Sequence, residues 1–412
     1  MSQRQSHDTL PRESDFDLAS LLPPLCAWHA EHGHDTDDAS RSPRAIRERM
    51  QAEVQALESL MNGDEDRLRL SDLARWLEEN ITRLDPLLRS RNPLLLPESW
   101  ARAHSRSRFL DEGRALMANA IDRDLDGFGA EGPLDPAADV ASLLVGLEVR
   151  DETRLAHQAL DGYLRISGDY ALTRLLSVFR VIECLSGARR ALRRREEAGD
   201  DEQPALLAET MGACRRYLDL AERHTEFRFP PLVIGIGVAG SGKSRFTRTL
   251  VSRLGAIRVC SDVERRRLHG IHPQAEKTRL PVDMFSEAAT EKTYQRLAKC
   301  AGSLLDAGLP VCIDGTCLKR EQRDLLRHQA EGRGLPVLLI SFEADEATLE
   351  RRIVKRAARL DVPVEESLAI LARQREAFED FTDEERRLLI RLDTTADNAA
   401  ETLAGLIQEH VR

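Results

Sequence analysis

The sequence predicts an α/β domain, a five-stranded parallel sheet with helices on both faces, preceded by an all-α domain. Three observations lead there. From Phe16 to about Arg195, apolar residues recur at helical spacing. After Pro230-Pro231 the rhythm changes to short apolar runs alternating with amphipathic stretches, as in a parallel sheet covered on both sides. The first of those runs, Leu232–Ile236, breaks into Gly237-Val238-Ala239-Gly240-Ser241-Gly242-Lys243-Ser244, which fits GxxxxGK[ST] without a mismatch.

Taken in order, residues 1–15 are polar and charged and predict a disordered tail. Residues 16–200 predict a helical domain. Ser42-Pro43 reads as an N-cap followed by proline at the first helical position, and Ile46, Met50, Val54, Leu57 and Met61 then share one face. Leu73, Leu77, Ile81, Leu84 and Leu88 repeat the pattern on a second helix. The stretch 128–136, FGAEGPLDP, is a loop, and helices follow over 137–148, 151–167 and 170–195. A charged hinge at 195–204 leads to a connecting helix, 205–223, within a linker assigned to 201–228. Residues 229–412 form the second domain, with strands expected at 232–237, 257–261, 310–314, 336–342 and 388–392. The helix over 286–307 is expected to bury Ala288, Tyr294, Leu297, Ala298, Ala301 and Leu305.

Composition narrows the function classes. The chain has 412 residues, room for two or three cores, and a net charge of −10 that argues against a nucleic-acid coat. Its seven cysteines, Cys26, Cys184, Cys214, Cys260, Cys300, Cys312 and Cys317, contain no CxxC pair and read as reduced core residues of a cytoplasmic protein. No secretory h-region or membrane-length apolar run is present, so no membrane partner is expected. The first lysine of the chain is Lys243; every earlier basic residue of the lysine–arginine pair is arginine.

Chemistry concentrates in the second domain. In the loop, Gly237, Ala239, Gly240, Ser241, Gly242, Lys243, Ser244 and Arg245 are expected at a bound ATP: the glycines let backbone N–H groups curl around phosphate and Lys243 neutralises its oxygens. Ser244 is expected to ligate Mg²⁺, joined by Asp314 at the end of the strand run PVCIDGT. Thr316, beside Gly315, is placed to meet substrate. Asp262, just past the second strand, is the candidate base for an attacking hydroxyl, and Arg265, one turn on, can hold an anionic part of the acceptor. The bland alternative makes Ser261 or Asp262 a helix cap. In LERRIVKRAAR, Arg352 and Arg356 are four residues apart and can face one phosphate from a lid.

These motifs together, over about 225–395, resemble the P-loop kinases that include the AAA-domain, polynucleotide-kinase and zeta-toxin-like groups. The resemblance implies a sheet with the phosphate-loop strand in the middle, an ATP–Mg²⁺ site, and a hydroxyl acceptor near Asp262. Residues 139–181, DVASLLVGLEVRDETRLAHQALDGYLRISGDYALTRLLSVFRV, resemble the C-terminal helices of aminoglycoside-phosphotransferase-like domains, which occur fused ahead of such kinases. That family's catalytic loop falls on WARAHSRS (100–107), with Arg102 in place of the catalytic Asp, Ser107 in place of the loop Asn and Asn119 in place of the metal Asp; only His104 is kept. The small ATP-binding lobe has no counterpart, and no lysine precedes Lys243. The helical domain is therefore expected to be degenerate.

The sequence thus points to an ATP-dependent kinase acting on a hydroxyl of a small-molecule or nucleotide-like acceptor. Two alternatives stay open: a nucleotide-responsive regulator whose helical domain recognises a partner, and a polynucleotide 5'-hydroxyl kinase, which the acidic balance disfavours. A motor ATPase fits least.

Overall fold

The computed structural model describes residues 18–32, 42–84 except 62, 86, 88, 135–198, 204–272 except 227, and 282–411. The expected tail at 1–15, the degenerate catalytic loop at 100–107 and Asn119 lie outside them. The helices are α1 Leu18–His32, α2 Pro43–Leu60, α3 Asp64–Ile81, α4 Pro136–Glu148, α5 Thr153–Ser167, α6 Thr173–Ala198 and α7 Pro204–Thr225. Then come β1 Leu232–Ile236, α8 Lys243–Leu254, β2 Ile257–Cys260, α9 Ser261–Leu268, α10 Glu287–Asp306, β3 Val311–Asp314, α11 Arg320–Glu331, β4 Val337–Glu343, α12 Glu346–Leu360, α13 Val364–Glu376, α14 Asp383–Arg387, β5 Leu389–Asp393 and α15 Ala399–Val411.

Contacts divide the chain into two units, and the division is not the single boundary that the sequence suggested near residue 200. Leu160–Ser177, the end of α5 and the start of α6, belongs with Glu226–Arg412. The reason is visible in its bonds. Asp161 accepts the backbone N–H of Arg258 at 2.8 Å, on strand β2 at the end of the sheet. The fully buried carboxylate of Glu264 on α9 accepts from Tyr170 Oη at 3.2 Å, Arg267 Nε at 3.3 Å and Arg296 Nε at 3.0 Å. Arg267 also donates to the carbonyls of Arg165 and Ile166, and Arg296 to that of Gly168. Gly168 has φ +71° and lies so close to Arg267 that a Cβ would sit 2.6 Å from the guanidinium.

In the other unit, Ser42 Oγ accepts the Ala45 N–H at 3.1 Å and Pro43 opens α2, as the cap pattern requires. Ile46, Met50 and Leu57 are buried on α2, and Leu70, Leu73, Leu77 and Ile81 on the adjoining α3. Leu84 is buried but lies beyond the helix, which stops at Ile81 as the chain nears Pro86. Ion pairs join the helices: Arg69 with Asp219 and Glu222, Arg189 with Glu53, and His224 with Glu148. Burial works against the Glu148 charge, but Arg180 and His224 prevail and hold its carboxyl down at about 2. The hinge expected from 195 starts later, since α6 runs to Ala198.

The sheet has the order β2-β3-β1-β4-β5, all parallel. Its strands fall within one or two residues of the expected positions. Every residue of β1 and β3 is buried, whereas β2 and β5 alternate or open to solvent, as end strands do. One face packs Val233, Cys312, Leu338, Ile340 and Phe342 against Phe246 and Leu250 of α8 and Leu403 of α15, with the Phe246 and Phe342 rings stacked at 5.9 Å. On α10, Tyr294, Leu297, Ala298, Ala301 and Leu305 are buried as expected; Ala288, in its first turn, is exposed.

A buried ion pair anchors the segment after β3. Arg323 and Glu385 are both fully buried; Arg323 Nε and Nη2 donate to the two Glu385 oxygens, and Nη1 to the Leu318 carbonyl at 2.9 Å. Burial opposes the Glu385 charge, yet Arg323 and the Thr382 N–H together hold its carboxyl below the usual range. The stabilisation is therefore present above the unfolded carboxyl pKa and is lost as pH falls through the depressed one. Glu385→Ala leaves the guanidinium buried without its counter-ion and is expected to cost about 3–5 kcal/mol in urea denaturation at neutral pH. A loss under about 1 kcal/mol would place the pair with ordinary surface bridges.

Candidate functional site

The site lies at the C-terminal ends of β1, β2 and β3. Register sets it: Asp314 pairs with Gly235 on one side and with Cys260 on the other. The phosphate loop leaves β1 two residues past Gly235, and Asp262 follows two residues past Cys260. A parallel sheet thus delivers the loop, the candidate base and Asp314 to one edge, where ligands bind in open α/β folds.

The loop is shaped by glycine. Gly237, Gly240 and Gly242 all have positive φ. At Gly237 a Cβ would come within 2.8 Å of both the Phe342 carbonyl and Ser241 Oγ, so no side chain fits. The Gly237 N–H donates to the Thr316 carbonyl at 3.1 Å, tying the loop to the segment after β3. α8 starts at Lys243, so the amides of Lys243 and Ser244 have no carbonyl one turn back and are open to an anion. These features fit a polyphosphate: a cradle too tight for a Cβ, a helix N-terminus, a lysine and a hydroxyl at Ser244.

Lys243 folds over its own loop. Its Nζ donates to the carbonyls of Gly237 at 2.6 Å and Val238 at 2.8 Å, and to Ser241 Oγ at 3.3 Å. Burial pushes its pKa down to about 8; Asp314 works against that shift and Arg356 adds to it. Arg356, though exposed, is thus felt electrostatically at the loop. Arg352 is held more tightly than a free lid residue. It donates to the Gly240 carbonyl at 3.2 Å and to Thr394 at Oγ1 and at the carbonyl. Arg245 is exposed on the first turn of α8, its guanidinium 5.6 Å from the centre of the Phe246 ring.

Asp314 is buried, and its Oδ2 accepts both Nε and Nη2 of Arg258. The carboxylate expected to serve Mg²⁺ therefore already has a cationic partner, and Oδ1 is the oxygen these bonds leave for a hydrated metal. Among the described residues no group of three or more His, Cys, Asp or Glu side chains could hold a metal by itself. A cation here would be held by Ser244 and Asp314 together with a bound polyphosphate.

Asp262 is 54% exposed at its side chain and pairs with Arg266 at 3.3 Å. It is not the helix cap: the N-cap position is Cys260, and no side-chain cap bond is made there. Arg265 turns away to the Met284 carbonyl at 2.6 Å and Thr290 Oγ1 at 3.2 Å, lying 5.3 Å from the Phe285 ring centre. Both bonds come from one guanidinium nitrogen, Nη1, and reach residues just before α10 and in its first turn. Thr316 Oγ1 is 3.4 Å from Tyr294 Oη, which also accepts the Cys317 N–H at 2.9 Å. Burial pushes the Cys317 thiol up to about 12, and all seven cysteines are free thiols.

Four residues were not singled out from sequence as site residues: Arg258, Tyr294, Thr394 and Gln374. Arg258 and Tyr294 sit in apolar or mixed runs that read as core. Gln374, whose Oε1 accepts the Ala239 N–H at 2.7 Å, is one polar residue in a charged helix and carries no signal.

Residues 232–381 match the family model described as AAA domain. Uncharacterized proteins of Mycobacterium tuberculosis and Mycobacterium bovis are each 28% identical over 243 residues, 58% of this chain and 47% of theirs. The chain thus spans about half the length of the curated relatives it matches. Among solved structures, a gluconokinase from Sinorhizobium meliloti is 22% identical and covers 45% of this chain and 99% of its own, with a TM-score of 0.31. A sugar kinase from Janibacter is 21% identical, covering 44% and 94%, with a TM-score of 0.33. No helix among the described residues is long and apolar enough to cross a membrane.

The depressed Lys243 has a measurable consequence. A bound polyphosphate favours the charged ammonium, so binding near pH 8.5 is expected to take up most of a proton. Calorimetric titration with ADP in two buffers of different ionisation enthalpy reads this directly. Equal heats in both buffers would show that Lys243 is already charged in the empty loop.

Proposed function

We propose that the chain is an ATP-dependent phosphotransferase that moves the γ-phosphoryl group to a hydroxyl of a small-molecule or nucleotide-like acceptor. The observation that carries the reading is the shared edge: register sets the phosphate loop and Asp314 side by side on β1 and β3, with Asp262 at the end of the next strand. The AAA-domain match over 232–381 supports it.

In this reading the loop amides and Lys243 bind the ATP phosphates and neutralise their charge. Two of its three ammonium donors sit on the Gly237 and Val238 carbonyls, and the third, now 3.3 Å from Ser241 Oγ, can turn to a phosphate oxygen. Ser244 and Asp314 would hold Mg²⁺, which when bound screens the phosphate oxygens. Asp262, exposed and two residues past β2, takes the proton of the acceptor hydroxyl as its oxygen bonds the γ-phosphorus and ADP leaves. Arg356 closes on the transferring group, and Arg352 holds the rim of the loop through Gly240. Thr316 and Arg265 border the acceptor side. The helical half is read as a degenerate aminoglycoside-phosphotransferase-like module that recognises or restrains rather than catalyses.

A second reading, a nucleotide-responsive regulator, draws on the bonds from Leu160–Ser177 to α9, the helix that carries Asp262. A polynucleotide acceptor is disfavoured by the net charge of −10.

ATP turnover with and without a panel of hydroxyl acceptors separates these readings. In the kinase reading, Lys243→Ala abolishes nucleotide binding, while Asp262→Asn keeps it and slows transfer by about two to four orders of magnitude. Transfer unchanged in Asp262→Asn would remove Asp262 from catalysis; ADP formation unaffected by every acceptor would favour the regulator.

A further inference from the structure

In this structure two of the loop's donor groups are paired with the protein itself. Lys243 Nζ takes two loop carbonyls and the Ser241 hydroxyl, and the Ala239 N–H takes Gln374 Oε1 at 2.7 Å. The second contact is the unusual one. Lys243 belongs to the loop; Gln374 comes from α13, 135 residues further along the chain. An amide inside this sequence pattern is one that faces phosphate oxygens, and a single N–H cannot serve two acceptors at full strength.

α13 is placed to deliver that side chain. Leu371, one turn before Gln374 on the same face, is buried with Leu349 and Ile353 of α12, and this cluster packs on Val238 and Ala239 of the loop. Arg375 adds a bond to Glu346 at 2.6 Å. Elsewhere α13 is mostly exposed. It is thus a helix held by the small apolar cluster that Leu368 and Leu371 join, one surface ion pair and one hydrogen bond to the phosphate loop.

We propose that Gln374 is a displaceable latch: its carboxamide oxygen holds the Ala239 N–H while the loop is empty and yields it to a polyphosphate oxygen, releasing α13. The proposal rests on reading the loop as a polyphosphate site. Charge explains why glutamine suits the role. A phosphate oxygen is a charged acceptor and outcompetes a neutral carboxamide for the same donor. A carboxylate there would hold the amide more firmly and repel the incoming anion. The latch lowers nucleotide affinity by the strength of the bond that must first break, and it couples occupancy of the loop to the freedom of α13.

The test uses the full-length chain and two probes, Mg–ADP and inorganic pyrophosphate, titrated calorimetrically. Gln374→Ala and Gln374→Met, the latter keeping length without an acceptor, are expected to bind both probes about three- to tenfold more tightly than wild type. Gln374→Glu is expected to bind them more weakly than wild type. Hydrogen exchange supplies a second readout: ADP should speed exchange of the α13 amides in wild type and leave them unchanged in Gln374→Met, where the helix is already released. Affinities equal to or below wild type in both neutral variants, with wild-type binding intact, overturn the latch and leave the site standing. Absence of saturable binding of either probe to wild type overturns the site and the latch together.

Discussion

A loop shaped to offer backbone N–H groups to a polyanion has few of them left to hold itself in shape. That constraint organises the C-terminal unit. The phosphate loop is fastened from outside, through the Gly237 N–H to Thr316, through the Gly240 carbonyl to Arg352, and through the packing of Leu349 and Ile353 on Val238 and Ala239. Each fastening starts on an element set by the sheet. Thr316 follows β3, which pairs directly with β1, and Arg352 follows β4, which pairs with β1 on its other side. The central position of β1 therefore gives the loop support from both flanks.

The same unit relies on arginine for its buried polar contacts. Glu264, Asp314 and Glu385 are buried carboxylates, and each is met by at least one guanidinium. Ionised carboxylates stripped of water are tolerable only when their lone pairs are filled, and a planar fork of donors fills them while also reaching backbone carbonyls. Arg267 and Arg296 do this for the turn around Gly168, and Arg323 does it for the segment after Asp314. Because a broken pair strands a buried charge, these contacts fix geometry as much as they stabilise it.

The turn at Gly168 has a further meaning. Helices α5 and α6 read as part of the helical half, yet the end of α5 and the turn before α6 bond to β2 and to α9, the helix that carries Asp262. The chain was threaded so that a segment far upstream closes the outer edge of the sheet. An edge strand presents unpaired N–H groups, and Asp161 satisfies that of Arg258. The carboxyl of Asp161 is raised to about 6 by burial, against the pull of that backbone bond.

The sequence by itself determined the local terms. Apolar period fixed the five strands to within a residue or two, Ser42-Pro43 fixed a cap, and the glycine spacing marked a tight loop between β1 and α8, because each of these is a matter of neighbours along the chain. It also marked Asp314, which ends β3, and Asp262, two residues past the end of β2. Only the tertiary structure decided which partner each charged group would find. Arg258 reads as a strand residue, and its claim on Asp314 exists because β2 and β3 are paired. Arg265 lies one turn from Asp262, and its Nη1 reaches across to Met284 and Thr290. Gln374 reaches Ala239 across 135 residues. Side-chain pairing in a desolvated site depends on distances between elements, and a linear pattern carries the period of each element but not the distance between two of them.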